Sequence, residues 1–394
     1  MKIQQQTSLP INTHVTPQLH DTQPITWVEI DAQALEHNVQ QYASVAPHSL
    51  LAPVIKSNAY GHGIEHVAKI LDKNNNVDFL CVVALSEAIS LRLIGIKKPI
   101  LVLSIINDDV YKAALHDIAL VLYDKNMAHK INEAGKKLHK KIHVHIKVDT
   151  GLCRLGVCVA DVISFIKDIL AYPYIHVQGI FTHFSNSESD DQTHTNYQIA
   201  LFTNILDELQ KMGIEIPLRH VSCSAAITAN VGSHFTTVRA GIGIYGLWPS
   251  PQNKQLTQKF YPSFSLKSVL TWKTTIIQLK EIPAGSHVGY DLTYTTKRTT
   301  RIATLPVGYW DGYERKNSNK GFVVINNQLV PIIGRIAMNL MMIDVTDAIA
   351  NIDDHVTLLG NYPGITADDH AAHAQTINYQ IVTSINPLLP RMVV

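Results

Sequence analysis

The sequence of 394 residues has little charge, few cysteines and no long apolar run, and each shortage removes a class of function. Only 16% of the residues are charged, and 33 basic side chains against 32 acidic ones leave a formal net charge of +1. That balance gives no electrostatic ground for a nucleic-acid or anionic-membrane partner, and neither is expected. No stretch approaches the ~20 consecutive apolar residues of a membrane-spanning helix. The four cysteines, Cys81, Cys153, Cys158 and Cys223, make no C-x-x-C pair and join no His-rich zinc pattern. They read as reduced thiols of a cytoplasmic protein, with no metal expected. The first two dozen residues are polar and contain one early Lys but no apolar segment, so a polar tail without a secretory signal is expected over residues 1–24.

What is present is apolar material, 46% of the chain, enough for a large core. Short apolar runs recur at Leu50–Ile55, Phe79–Ala84, Ile100–Leu103, Ile118–Leu122, Ile142–Val148, Ile175–His183, Leu218–Cys223 and Thr237–Gly241. Stretches with helical spacing lie between them, at Ile64–Leu71, Asn126–Leu138, Val162–Leu170 and Tyr197–Met212. In the last of these, Ile199, Phe202, Ile205, Leu206 and Leu209 make one apolar face. Nearly continuous apolar strands joined by helices predict a parallel sheet covered by helices. Eight such units in roughly 215 residues fit a (β/α)8 TIM-like barrel. A doubly wound open sheet would carry a Gly-rich phosphate turn after its first strand, and the segment from Lys56 to Gly63 is not G-x-G-x-x-G.

After about residue 260 β-branched runs take over, at Ser268–Leu279, Thr300–Leu305, Gly321–Ile325, Leu329–Ile333 and His355–Leu359. Turn signals separate them, including Pro283-Ala284-Gly285 and Asn326-Asn327, the latter suited to a tight hairpin. The fold class predicted is therefore α/β: a barrel over residues 25–260, then a mostly β domain over 261–394. The polar, Pro-containing stretch Pro249–Pro262 reads as the linker.

In such a barrel the strand C-termini form the active face. Lys56 ends the first strand, Lys147 and Asp149 end the fifth with Arg154 in the loop beyond, and His183 ends the sixth. His220 lies in the seventh strand with Ser224 just past it, and Arg239 falls in the eighth, followed by Gly241 and Ile242. Any one of these alone reads as a solvated rim residue. Several charges at the ends of apolar strands, where unpaired burial is costly, point together to function.

The segment Val54-Ile55-Lys56-Ser57-Asn58-Ala59-Tyr60-Gly61-His62-Gly63 resembles the cofactor-lysine motif of alanine racemases. The resemblance continues through Lys147–Gly156, Thr182-His183-Phe184, Val238–Ile242, Val288-Gly289-Tyr290, Gly308–Gly312, Gly334–Met338 and Asn378-Tyr379. Eight collinear motifs, from about residue 27 to 391, are far more specific than one. What they imply is a barrel followed by a β domain, and a pyridoxal-5′-phosphate-dependent isomerase that interconverts L- and D-alanine. Its D-alanine would serve cell-wall peptidoglycan. The implied assembly is a homodimer with shared active sites.

The resemblance also assigns roles. Lys56 carries the cofactor and then serves as base on one face of the substrate. Tyr290, from the partner's β domain, serves on the other; a phenol titrates near pKa ~10, so neighbours must activate it, with His183 and Arg239 as the candidates. Tyr60, Ser224, Tyr379 and the backbone of Gly241 and Ile242 hold the phosphate, small residues letting amides approach it closely. Arg154 meets the cofactor's phenolic oxygen and the substrate carboxylate, with Met338 and Tyr309 also at the substrate. Lys147 is a candidate for carbamylation. Arg239 faces the cofactor's ring nitrogen; an arginine only donates, so that nitrogen stays unprotonated and the electron sink weak, which favours immediate reprotonation over transamination.

Three positions depart from the family pattern. Cys153 stands where Gly is frequent, Cys223 where Asn usually precedes the phosphate-binding Ser224, and Asn339 where Asp usually follows Met338. The alternatives are a serine or broad-specificity racemase, which the aromatic Tyr379 opposes, and a non-catalytic cofactor-binding barrel, which would lack the β domain and Tyr290. A metal-assisted D-amino-acid lyase would want clustered His and Cys ligands near the C-terminus; His370 and His373 are there, but no Cys follows Cys223.

Overall fold

The computed structural model describes residues 24–229, 232 and 234–394. Of the expected polar tail, all but Pro24 lies outside the described residues. Among the described residues eight strands run parallel around one sheet: Leu50–Leu51, Leu80–Ala84, Ile100–Ile105, Ile118–Leu122, Ile142–Asp149, Ile175–Phe181, Leu218–His220 and Thr237–Val238; a ninth, Val157–Cys158, pairs only with the end of Ile142–Asp149. Of the eight, the last pairs with the first, and a bridge between Val54 and Cys81 closes the ring on the other side. These strands are apolar on both faces because one face fills the barrel and the other meets helices; in Ile118–Leu122, Ile118, Leu120, Val121 and Leu122 are all buried. The helices bury single stripes, as in Ile64–Lys73, which buries Val67, Ala68 and Leu71, and Thr193–Lys211, which buries Phe202, Ile205 and Leu209.

A second, nine-stranded sheet is mostly antiparallel. The Asn326-Asn327 hairpin is present: Ile325 faces Gln328, and both asparagines have positive φ, 49° and 62°, the left-handed pair that a two-residue turn demands. Two expected details differ. The run Ser268–Leu279 divides into Leu270–Thr275 and Gln278–Ile282, which join different parts of the sheet. The break falls after Ile276, whose amide still bonds the Asp354 carbonyl on the side of His355–Leu359, whereas the Ile277 amide bonds the Thr304 carbonyl. The boundary at residue 25 also misses one strand. Thr26–Ile30 belongs not to the barrel but to the second sheet, between Leu270–Thr275 and Arg391–Val393.

The stretch expected as a linker contains a helix, Pro251–Phe260. Ser250 accepts from the Asn253 amide at its N-terminus and Pro251 occupies the first turn, where a missing N–H costs nothing. Its buried Asn253 and Thr257 reach Ala225 and Thr228, so the helix is packed on the barrel mouth. Two helices, Ala367–Ala374 and Asn378–Ser384, and the strand Met341–Asp344 complete the β region.

Candidate active site

A cavity of about 580 Å³ opens at the C-terminal ends of the barrel strands. Lys56, Tyr60, Lys147, Arg154, His183, Ser224, Arg239, Gly241, Ile242 and Tyr379 all line it, so ten side chains and backbone groups singled out in the sequence meet in one place. Tyr379 comes from Asn378–Ser384 in the second region and leans toward Tyr60, ring centres 6.2 Å apart.

Lys56 opens an unusual turn. Ser57, Asn58, Ala59 and Tyr60 all have φ between 51° and 55°, a left-handed run that costs roughly 1–2 kcal/mol per residue with a side chain. Such strain persists only where the surroundings over-determine it. Here Glu87 accepts from the Ser57 amide (2.7 Å) and from Val83 (2.9 Å), Asn58 accepts from Ile64, and Arg391 donates to the Gly61 carbonyl (3.0 Å). Gly61, at φ 84°, leaves no room for a side chain, since a Cβ would run into the Val382 carbonyl.

On the opposite wall the Ser224 hydroxyl accepts from the amides of Gly241 (2.8 Å) and Gly243 (3.3 Å). A Cβ at Gly241 would lie 2.7 Å from the Tyr60 hydroxyl, so the glycine keeps this cradle open. Four cations share the cavity with few acids. Burial, then Arg154, lowers the Lys56 pKa; burial, then Arg154, Arg239 and Lys56, brings Lys147 down to about 8. Asp149 spends Oδ1 on the amides of Gly151 and Cys153, which shapes the loop that carries Arg154.

Arg239 is 3% exposed and donates to the carbonyls of Thr182, His220 and Val221, to Nδ1 of His220 (2.6 Å) and to Nδ1 of His183 (3.3 Å). Because a guanidinium only donates, His183 accepts through Nδ1 and keeps its proton on Nε2. Burial, reinforced by Arg239, Arg154, Lys147 and Lys56, holds His183 neutral, well below the usual histidine pKa.

Tyr290, Tyr309 and Met338 do not line the cavity. They are 67%, 45% and 53% exposed on the second sheet's region. One segment gathers them: the carbonyls of Ala337 and Met338 accept from Tyr309 and Trp310, while Gly289 packs against the Arg335 amide. Of the departures, Cys153 holds a left-handed φ of 56°, Cys223 lies 3.3 Å from the Ser187 hydroxyl at the cavity wall, and Asn339 is exposed beside Met338.

Sequence reasoning missed Glu87, which caps the Lys56 turn, and Gln198, which ties the His183–Ser185 loop to Thr150. It also missed Glu188, a cavity-lining carboxyl raised by burial and hydrogen-bonded to Tyr379. All three act across long sequence separations, and none sits in a motif. His370 packs edge-on to Tyr313 and His373 bonds Asn317. No group of three or more His, Cys, Asp or Glu able to hold a metal occurs among the described residues, nor does a helix long and apolar enough to cross a membrane.

The model of the alanine racemase N-terminal domain matches residues 30–249, and that of the C-terminal domain matches residues 269–393. The alanine racemase of Methanococcus maripaludis is 37% identical over 372 residues, covering 93% of this chain and 98% of its own. That of Halothermothrix orenii is 38% identical over 371 residues, covering 93% and 96%. Among solved structures, alanine racemase of Clostridium difficile 630 superposes with a TM-score of 0.88 at 33% identity over 95% of this chain and 97% of the other. The Bacillus anthracis alanine racemase with bound L-Ala-P gives 0.84 at 31% identity, over 95% and 96%. By both of its domains and over almost all of its length, the chain belongs to the alanine racemase family.

Proposed function

We propose that this chain is a cytoplasmic pyridoxal-5′-phosphate-dependent racemase that interconverts L- and D-alanine, working as a homodimer with shared sites. The observation that carries this reading is the charge of the cavity. Lys56, Lys147, Arg154 and Arg239 crowd one space, where Arg154 lowers the basicity of Lys56 and, with Arg239 and Lys56, that of Lys147, so the space favours anions. A phosphate and an amino-acid carboxylate answer that demand.

The residues present fit the cofactor. The hydroxyls of Ser224, Tyr60 and Tyr379 and the uncrowded backbone at Gly241 and Ile242 line a cradle for a phosphate. When bound, pyridoxal phosphate supplies the electron sink that makes the α-proton of alanine removable. Lys56, its amine deprotonated more easily by burial and by Arg154, is the nucleophile that holds the cofactor and then takes or returns a proton on one side of the substrate. Arg239 donates but never accepts, so beside a bound cofactor it would leave a ring nitrogen without a proton and keep the electron sink weak. Arg154 receives the substrate carboxylate.

The opposite side needs a second base, and the partner subunit's Tyr290 is the residue we assign, with Tyr309 and Met338 beside the substrate. Their exposure, with Trp310 and Leu340, makes an apolar surface suited to a second copy. His183, neutral and carrying its proton on Nε2, can donate to that phenol and lower its pKa. Lys147, at about 8, is neutral in about a tenth of molecules near pH 7 and can add to carbon dioxide; the carbamate forms with loss of a proton and turns a cation into an anion beside Arg154. Free cysteines suit the reducing cytoplasm. The D-alanine made would enter peptidoglycan.

The test is a D/L assay on alanine and serine, paired with borohydride trapping and peptide mapping. Racemised alanine and a modified peptide containing Lys56 are expected. A label elsewhere, or inert alanine, would overturn the reading.

A further inference from the structure

Beneath the cavity, Arg239 heads a line of hydrogen bonds that enters the barrel. Its NH1 lies 2.6 Å from Nδ1 of His220, and Nε2 of His220 lies 2.7 Å from Nδ1 of His145. Neither imidazole lines the cavity, and they are 0% and 1% exposed. A guanidinium has no acceptor and keeps its charge, so Nδ1 of His220 must be bare and its proton must sit on Nε2. That proton points at His145, whose Nδ1 is therefore bare too. Each ring is thus neutral and confined to one tautomer. Burial, helped by Arg239, holds both far below the usual histidine pKa, His145 at about 3. The His145 ring also donates a hydrogen bond to the Gln178 side chain.

The barrel is shaped around this second ring. His145 faces Gly179 across the Ile142–Asp149 and Ile175–Phe181 strands, next to a shift in register. A Cβ at Gly179 would lie 2.6 Å from Cε1 of His145, so only glycine leaves space for the imidazole. Phe181 then stacks on His220, ring centres 4.7 Å apart and planes within 5°, and stands 5.3 Å from the Arg239 guanidinium carbon. A polar pair inside an otherwise apolar barrel is no gain in stability over packed hydrocarbon, so its presence calls for another reason.

We propose that His145 is a positioning residue for racemisation: by accepting the His220 proton it fixes the tautomer that receives Arg239, and so keeps the guanidinium aimed at the cavity. This rests on the reading that Arg239 acts on a bound cofactor. Without an acceptor at 145, the Nε2 proton of His220 is buried with no partner, a cost that offsets the repulsion from NH1 and lets the proton populate Nδ1, where it breaks the NH1 contact and loosens one of the anchors of the guanidinium.

Nitrogen-15 histidine NMR on the cofactor-free protein reads the tautomers directly. Wild type is expected to show His220 and His145 as neutral Nε2–H rings between about pH 5 and 8. In His145→Leu, His220 should show mixed tautomers, with kcat on alanine falling roughly tenfold or more and KM little changed. His145→Asn, whose amide oxygen can accept the same proton, should restore both signals. An unmixed Nε2–H tautomer in folded His145→Leu, an unchanged kcat, or failure of Asn to rescue would each overturn the proposal. If His145→Leu does not fold, wild type alone decides: His220 found as the Nδ1–H form or as a cation refutes it. Inert alanine with the expected tautomers would sink the racemase reading and leave the hydrogen-bond order standing.

Discussion

Cys153 sits at φ 56° with its amide on Asp149, in the loop that carries Arg154. A side chain in that conformation costs roughly 1–2 kcal/mol, while glycine there loses about 0.5–1 kcal/mol through its freer unfolded chain. Cys153→Gly should therefore stabilise the protein by about 0.5–1 kcal/mol, read as a higher denaturant midpoint at constant m-value. A lower midpoint would mean that the thiol makes a contact the backbone argument ignores. Lys147 gives a second prediction, with the opposite dependence on conditions. Its folded pKa of about 8 lies below the ordinary 10.5, so between those values the unfolded chain binds a proton that the folded one does not. Stability of the cofactor-free, carbon-dioxide-free protein should rise as pH climbs from 8 toward 10.5, and level off below 8. Thermal melts of Lys147→Met should lack that rise; parallel curves for the two proteins would exclude the linkage.

At the level of elements, the Lys56 turn and the helix Asn378–Ser384 hold each other. Gly61→Ala places a methyl against the Val382 carbonyl and adds the penalty of a side chain at φ 84°. The helix should yield, withdraw Tyr379, and weaken pyridoxal phosphate binding by tenfold or more, measured by fluorescence titration; an unaltered Kd would show that the two elements are independent. The barrel strands were legible in the sequence because burial on both faces forces unbroken apolar runs such as Ile118–Leu122, and motif residues cluster at their ends. The hairpin at Asn326-Asn327 was legible because few residues tolerate its backbone. The helix Pro251–Phe260 was read as linker because its buried face is polar: Asn253 and Thr257 find partners in Ala225 and Thr228, which no local pattern reveals. Glu87 and the His145–His220 pair escaped for the same reason, since the partner lies 30 or 75 positions away.

For the whole molecule, the shared-site reading makes a mixing prediction. Lys56→Ala and Tyr290→Ala proteins, each inactive, should regain activity under subunit exchange, approaching roughly a quarter of wild type because half the dimers are mixed and each of those keeps one intact site. Silence despite proven exchange would mean that both bases belong to one chain. The strand Thr26–Ile30 has a different consequence. It lies between Leu270–Thr275 and Arg391–Val393, partners more than two hundred residues downstream. During synthesis this strand leaves the ribosome early and must stay unpaired while the entire barrel emerges and folds, a long exposure for an apolar edge. The barrel can therefore mature during translation, but the second sheet cannot be finished until the Arg391–Val393 segment is free. A nascent chain stalled so that residue 260 has just cleared the exit tunnel should show a protease-resistant barrel with Thr26–Ile30 still cleavable, and chaperones that bind extended apolar strands should be found there.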